Sequence, residues 1–413
     1  MTTFPPTYRD SSPPRLSPTT TTLVEVIYSS TRGRIGLRGS HAPLSWEHTE
    51  PPTEIDGDRH LFRIPVADGD VLELRVVRDD ACAVGRNYVL HAGDHLRIEA
   101  YFDEPGPVFE AGSCVSVAGD VLPYDVLLPP SYVEQEDKRY PVLYVLDGQL
   151  LWSHSKDAEA GDGQGTWELE KALAALYDLG AIEEVIVVGV HTSQGRIDKL
   201  SPVADPEHGG GGGAAFLRTL TDVLRPQIDA RYRTLTGPRS TAILGASLGG
   251  LFAFFAGWTR PDVFGKAACL SSSFWWADRW AIRLVQGNGD LSSRTMFYLD
   301  SGAVPRPLAR DIDVQNGFHQ TRSMFRALAR SGFALGSDMH RLVFPGTLHQ
   351  AACWSSRIAV PLQLLFPPEM QQAAPQRPAP RAPPLASTRP PSVRPPSLAG
   401  DLGRIVTRFD QPA

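Results

Sequence analysis

Long apolar runs are missing from this sequence. Nowhere in its 413 residues does an unbroken apolar stretch reach the length needed to span a bilayer. The opening MTTFPPTYRDSSPPRLSPTT also lacks the apolar core of a secretory signal. A soluble, cytoplasmic protein with no membrane partner is the expectation. Blocks of basic residues are missing as well. With 40 Lys and Arg against 46 Asp and Glu, the formal net charge is −6, and no Lys- or Arg-rich block offers a footprint for a nucleic acid, which drops out as a partner. Cysteine is scarce. Cys82, Cys114, Cys269 and Cys353 lie far apart, with none of the close spacings of a zinc site or a redox dithiol, so free thiols are expected.

What is present is the composition of a folded protein, with 42% hydrophobic and 21% charged residues. The length exceeds one ordinary core, which predicts two domains plus tails. Residues 1–22 are rich in Pro, Ser and Thr, and residues 367–413 are dominated by proline. Neither can bury enough apolar surface to offset its ordering entropy, so both are expected to be disordered. Over residues 23–112, short alternating runs (LVEVIYS, HLFRIPV, VLELRVV, HLRIEAYF) are separated by turn residues, as in a β-sandwich of immunoglobulin-like size.

Over residues 113–366 the pattern changes. The runs PVLYVL, VIVVGV, TAILG, TMFYL and RLVF are apolar throughout, as befits strands covered on both faces. Segments with helical spacing lie between them: WELEKALAALYDL, FLRTLTDVLRPQI, in which Pro226 must kink or restart the helix, and QTRSMFRALARSG. Alternating strand and helix predict an α/β domain with a mostly parallel sheet.

The stretch TAILGASLGGLFAFFAGW places Gly245-Ala246-Ser247-Leu248-Gly249 between a buried strand and a helix. Gly-x-Ser-x-Gly in that context is the nucleophile elbow, where a strained turn lifts a hydroxyl above the sheet and small neighbours let strand and helix pass closely. Serine needs a base. His349, in RLVFPGTLHQAACW, follows the last apolar strand and would stand on the same rim. The loop after TMFYL offers Asp300, Asp311 and Asp313 as the acid that would orient the imidazole, and Asp300 could equally cap its turn.

These motifs, together with YDVLLPPSY, YPVLYVLDGQLLW, VGVHTSQGRIDKLSP, LRPQIDARYRT, SSSFWW and GTLHQAACWSSRIAVPLQLLF, resemble the putative esterase family of α/β-hydrolases, which includes enterochelin esterases and S-formylglutathione hydrolases. The resemblance spans about residues 116–366. It implies an α/β-hydrolase fold, Ser247 as nucleophile, His349 as base, and an oxyanion hole from the backbone N–H of Leu248 and one in the Gly148-Gln149 turn, with Gln149 the choice. In relatives the acid stands a few residues beyond the glycine of the DSG-like turn, but Val304-Pro305-Arg306 occupies that place here. Counting back from the following helix favours Asp311 over Asp313, with a Ser-His dyad left open. The N-terminal part is more loosely similar to the β-sandwich domain that precedes the hydrolase in enterochelin esterases.

Trp152, Phe274, Trp275, Trp276 and Trp354 cluster around the expected rim, and of these Trp276 is taken as the substrate-binding residue. Arg196 could meet an anionic substrate group or form an ion pair. The expected function is hydrolysis of a small-molecule carboxylic ester through an acyl-enzyme, without metal or organic cofactor. A binding protein built on the same fold and an acyltransferase are the rivals.

Overall fold

The computed structural model describes residues 18–103, 106–155, 165–287, 294–303 and 317–368. The N-terminal part carries strands β1 (Thr19–Ile27), β2 (Ile35–Gly39), β3 (Glu54–Asp56), β4 (Arg59–Ala67), β5 (Val71–Arg78), β6 (Ala81–Cys82), β7 (Tyr88–His91) and β8 (His95–Glu99). They form one sheet of order β3-β4-β1-β8 and a second in which β5 pairs with β2, β6 and β7. Alternation turns one face of each strand inward. Val24 and Val26 of β1, Phe62, Ile64 and Val66 of β4, and Leu72, Leu74 and Val76 of β5 share a single apolar core between the sheets. Strand β1 begins earlier than expected. Thr19 to Thr22 pair with Ala67 to Ile64, so this part of the supposed tail is structured. Threonine weighs toward disorder by composition, yet its branched side chain suits a strand once a partner strand is available.

The larger part is built on a sheet of order β16-β15-β14-β13-β11-β12-β10-β9. Its strands are β9 (Val108–Val115), β10 (Val121–Leu128), β11 (Val142–Leu146), β12 (Ile186–Val190), β13 (Thr241–Ala246), β14 (Lys266–Leu270), β15 (Met296–Ala303) and β16 (Met339–Pro345). From β12 to β16 all neighbours are parallel, while β10 and β9 run antiparallel at the other edge. Strand β9 starts inside the span read as sandwich, because it pairs with β10 across the expected boundary. Only the completed sheet reveals that partner.

The apolar runs are buried on both faces for a visible reason. In β11, Val142, Tyr144 and Leu146 enter one core, and Leu143 and Val145 enter the other. Helices α1 (Leu169–Asp178), α2 (Arg196–Leu200), α3 (Gly213–Arg218), α4 (Arg225–Arg231), α5 (Leu248–Thr259), α6 (Trp276–Gly287), α7 (Phe318–Arg330), α8 (Ala351–Ser355) and α9 (Ala359–Leu365) connect and cover the strands. Between α3 and α4 the chain widens into a π-helical turn, Thr219–Leu224, and Pro226 follows it at the start of α4. The proline thereby falls where a helix can do without its missing N–H.

Candidate active site

Strand β13 ends at Ala246 and α5 begins at Leu248, leaving Ser247 alone to turn the chain. Its backbone takes φ 58° and ψ −122°, a conformation that a residue with a side chain adopts only under constraint. The constraint is close packing of strand on helix. A Cβ at Gly245 would lie 2.5 Å from the backbone carbonyl of Gly249, so any larger residue would push the helix off the sheet. The Ser247 amide donates to the Leu270 carbonyl (3.0 Å), and the Ser247 carbonyl accepts from the amides of Ser273 (3.0 Å) and Leu251 (3.1 Å). The peptide is held on all sides. The first amides of α5 have no acceptor within the helix.

The Gly148–Leu150 turn follows β11, the strand that pairs in parallel with β13, so Gln149 stands at the same end of the sheet as Ser247. Its position is fixed through Asp147, which adopts φ 58° and ψ 43°. The Asp147 carboxylate accepts from Nε and Nη2 of Arg196, both at 2.7 Å, and from the Thr192 hydroxyl. Arg196 is therefore committed to an ion pair that braces this turn. The side-chain oxygen of Gln149 accepts from the Thr192 amide at 3.1 Å, which ties the turn to the end of β12.

His349 lies beyond β16, the edge strand of the sheet, whereas Ser247 follows β13. Three strand spacings, roughly 14 Å, must be crossed for them to meet. The loop that crosses is anchored at each step. The Gly346 amide donates to Ala303 of β15 at 2.6 Å. Behind the loop, Arg357 makes a two-pronged pair with Asp300 of β15, each prong 3.0 Å. The same guanidinium donates to the hydroxyls of Ser271 at 2.8 Å and Thr347 at 3.0 Å. Nε2 of His349 then comes to 2.9 Å from Oγ of Ser247.

Burial pulls the His349 imidazole down to about pKa 4, and the positive charges of Arg357 and Arg196 act in the same direction. The ring is neutral at physiological pH, as a base must be. Trp354 packs edge-on to it with centroids 5.1 Å apart. Among the described residues, Nδ1 of His349 has no hydrogen-bond partner.

Asp300 does not fill that place. It is fully buried and accepts from Arg357, from the Ser271 amide (3.0 Å) and from the Tyr298 hydroxyl (3.2 Å). Burial raises its pKa, opposed by Arg357 and these hydrogen bonds. Asp311 and Asp313 lie outside the described residues.

The aromatic rim expected from sequence is largely interior. Trp276, taken as the substrate-binding residue, is only 2% exposed and donates its ring N–H to the Val203 carbonyl at 2.8 Å. Trp152 and Phe274 are equally enclosed, in the cores on opposite faces of the sheet. Large rings beside strand ends fill the space between sheet and helices before they line a cleft. No cluster of His, Cys, Asp or Glu among the described residues could hold a metal ion.

Sequence reading overlooked Arg357 and Ser273. A lone cation inside the apolar stretch SSRIAVPLQLLF was the available sign of the first, since a buried charge requires a partner. Three consecutive serines after a core strand were the sign of the second.

The family profile described as "Putative esterase" matches residues 118–364. The chain is 28% identical over 159 residues to an uncharacterized protein of Bacillus subtilis, covering 37% of this chain and 57% of that protein. It is 29% identical over 144 residues to the siderophore triacetylfusarinine C esterase of Aspergillus fumigatus, covering 33% and 45%. With the iron(III) enterobactin esterase of Dickeya dadantii it shares 28% identity over 170 residues, covering 39% and 37%. The chain thus spans between 37% and 57% of the length of these curated relatives. Among solved structures, the enterobactin esterase of Shigella flexneri superimposes with a TM-score of 0.49 at 14% identity, over 80% of this chain and 87% of that one. With more than half of its 413 residues matched by the profile, the chain belongs to the putative esterase family.

Proposed function

We propose that the protein is a serine esterase that hydrolyses carboxylic esters through an acyl-enzyme on Ser247. The observation that carries this reading is a hydroxyl on a strained strand-to-helix turn, 2.9 Å from the Nε2 of a neutral imidazole. In the first half-reaction His349 takes the hydroxyl proton as Oγ bonds to the carbonyl carbon. The negative charge moves to the carbonyl oxygen, where the amides of Leu248 and Gln149 receive it. The imidazolium then gives its proton to the departing alkoxide as the carbon–oxygen bond breaks. Water repeats the sequence on the acyl-enzyme and frees Ser247.

Asp311 is the residue proposed as the acid of this scheme, whose role is to hold the His349 tautomer and offset the imidazolium charge. The N-terminal part is an immunoglobulin-like β-sandwich domain accompanying the catalytic domain, and the protein acts in the cytoplasm. One of the relatives above is named as a siderophore triacetylfusarinine C esterase and another as an iron(III) enterobactin esterase, so a siderophore ester is the substrate class proposed.

The test is labelling by a fluorophosphonate probe, followed by turnover of p-nitrophenyl esters of graded chain length beside a catecholate trilactone. The wild-type protein is expected to take one adduct on Ser247, and Ser247→Ala none. A folded wild-type protein that stays unlabelled and inert to every ester would end this reading.

A further inference from the structure

The segment Ser271-Ser272-Ser273 joins β14 to the aromatic stretch before α6 and passes beside the elbow. Ser271 takes φ 41°, which swings the chain from its strand back toward Ser247. The Ser273 amide then donates to the Ser247 carbonyl at 3.0 Å, while Phe274 is fully buried against Phe254 of α5, with ring centroids 5.6 Å apart. Ser273 is held from both sides and is only 4% exposed. Its hydroxyl oxygen lies 3.3 Å from Oγ of Ser247, the atom that Nε2 of His349 approaches from elsewhere.

Three groups share two protons, and their arrangement follows from the inventory. A neutral imidazole with its proton on Nδ1 offers Nε2 as an acceptor, so the Ser247 hydroxyl donates there. That donation uses the only proton of Ser247. Ser273 therefore supplies the hydrogen between the two serines, and Ser247 Oγ accepts it.

We propose that Ser273 is a further catalytic residue, whose hydroxyl donates a hydrogen bond to the nucleophilic oxygen of Ser247 and so forms a relay Ser273→Ser247→His349. The inference deepens the proposed reaction and rests on Ser247 being its nucleophile. In acylation the Ser247 proton passes to Nε2, and the charge gathering on Oγ meets the Ser273 hydrogen before the new carbon–oxygen bond absorbs it. In deacylation the same oxygen is the leaving group, and the same hydrogen eases its departure. Ser273 keeps its proton throughout, and no bond to it is made or broken. A 3.3 Å separation is long for two neutral hydroxyls, and such contacts shorten as one partner gains charge.

The experiment measures burst and steady-state phases of p-nitrophenyl acetate hydrolysis, and the rate of fluorophosphonate labelling, for wild type, Ser273→Ala and Ser273→Cys. Ser273→Ala is expected to slow acylation, deacylation and labelling each by about ten- to a hundredfold, with the substrate dependence of the burst and the thermal midpoint unchanged. Ser273→Cys keeps the size of the side chain with a weaker donor and should fall between. It also carries the reading if the alanine variant fails to fold. Rates equal to or above wild type in the folded variants would overturn the inference, because they would mean that Ser273 only accepts from Ser247 or is idle. Absence of a Ser247 adduct in the wild type would instead bring down the proposed reaction itself, so the two failures are distinguishable.

Discussion

At the residue scale the site turns on the state of one imidazole. An unperturbed histidine titrates near pH 6.5. Burial, helped by two guanidinium groups, pulls His349 down to about 4. The active form is the neutral base, so activity should be lost as pH falls through the folded pKa rather than through the ordinary one. Without a carboxylate on Nδ1, a profile of kcat/KM against pH would stay level from pH 7 to about 5 and fall near pH 4. With Asp311 in the role proposed above, the fall is expected to move back up toward 6.5, and Asp311→Asn should return it toward 4. Stability follows the same shift. Between pH 6.5 and 4 the unfolded chain binds a proton that the native protein refuses, so acid works against the fold in that window.

At the scale of elements, the distance from β16 to β13 explains why a buried ion pair stands behind the histidine loop. Arg357 and Asp300 are 2% and 0% exposed, and together they tie the segment after the histidine to β15 and to the turn after β14. Removing one partner of such a pair leaves an uncompensated charge in the interior, at a cost of about 3–5 kcal/mol. Asp300→Asn should therefore lower the thermal midpoint by several degrees, whereas Asp311→Asn, if Asp311 is the acid, should cut kcat with the midpoint unchanged. Calorimetry and turnover on the two variants separate these outcomes. A catalytic loss in Asp300→Asn without any loss of stability would contradict the clamp.

The same scale shows which parts of the fold could be read directly from the chain. The five continuous apolar runs correspond to β11, β12, β13, β15 and β16, because a strand covered on both faces needs apolar side chains throughout. The run KAACL of β14 is short and rich in small residues, which gives a weak periodic signal, so it stands outside these five runs and is marked in the sequence only by the aromatics that follow it. Strand β9 stands outside them for a different reason. Its sequence VFEAGSCV alternates poorly, and only pairing with β10 makes it a strand.

Across the whole molecule, one carboxylate joins the N-terminal sheets to the larger sheet. Glu134 is buried and accepts from the Tyr28 hydroxyl, from Arg78 at 3.1 Å, and from the amides of Phe102 at 2.8 Å and Asp103 at 3.0 Å. Burial, with Glu134 beside it, pushes the Tyr28 phenol up to about 12. Gln135 adds a side-chain donor to the Ala100 carbonyl. Glu134→Ala deprives four donors of their acceptor, and a loss of roughly 3 kcal/mol is expected from denaturant unfolding, with esterase turnover unchanged. A variant as stable as the wild type would mean that the two parts are joined by other contacts.

The sequence by itself determined the local outcomes: which runs become strands, where glycine permits strand and helix to touch, and which serine sits on the turn between them. Those follow from periodicity, side-chain volume and backbone freedom within a few residues. The meeting of Ser247 with His349, the buried hold of Asp300 on Arg357, the placing of Ser273 beside the nucleophile and the enclosure of Trp276 were decided by tertiary structure alone. Each joins side chains that are distant in the chain, from 26 residues between Ser247 and Ser273 to 102 between Ser247 and His349, and no local pattern encodes which of them a folded sheet will bring to the same edge.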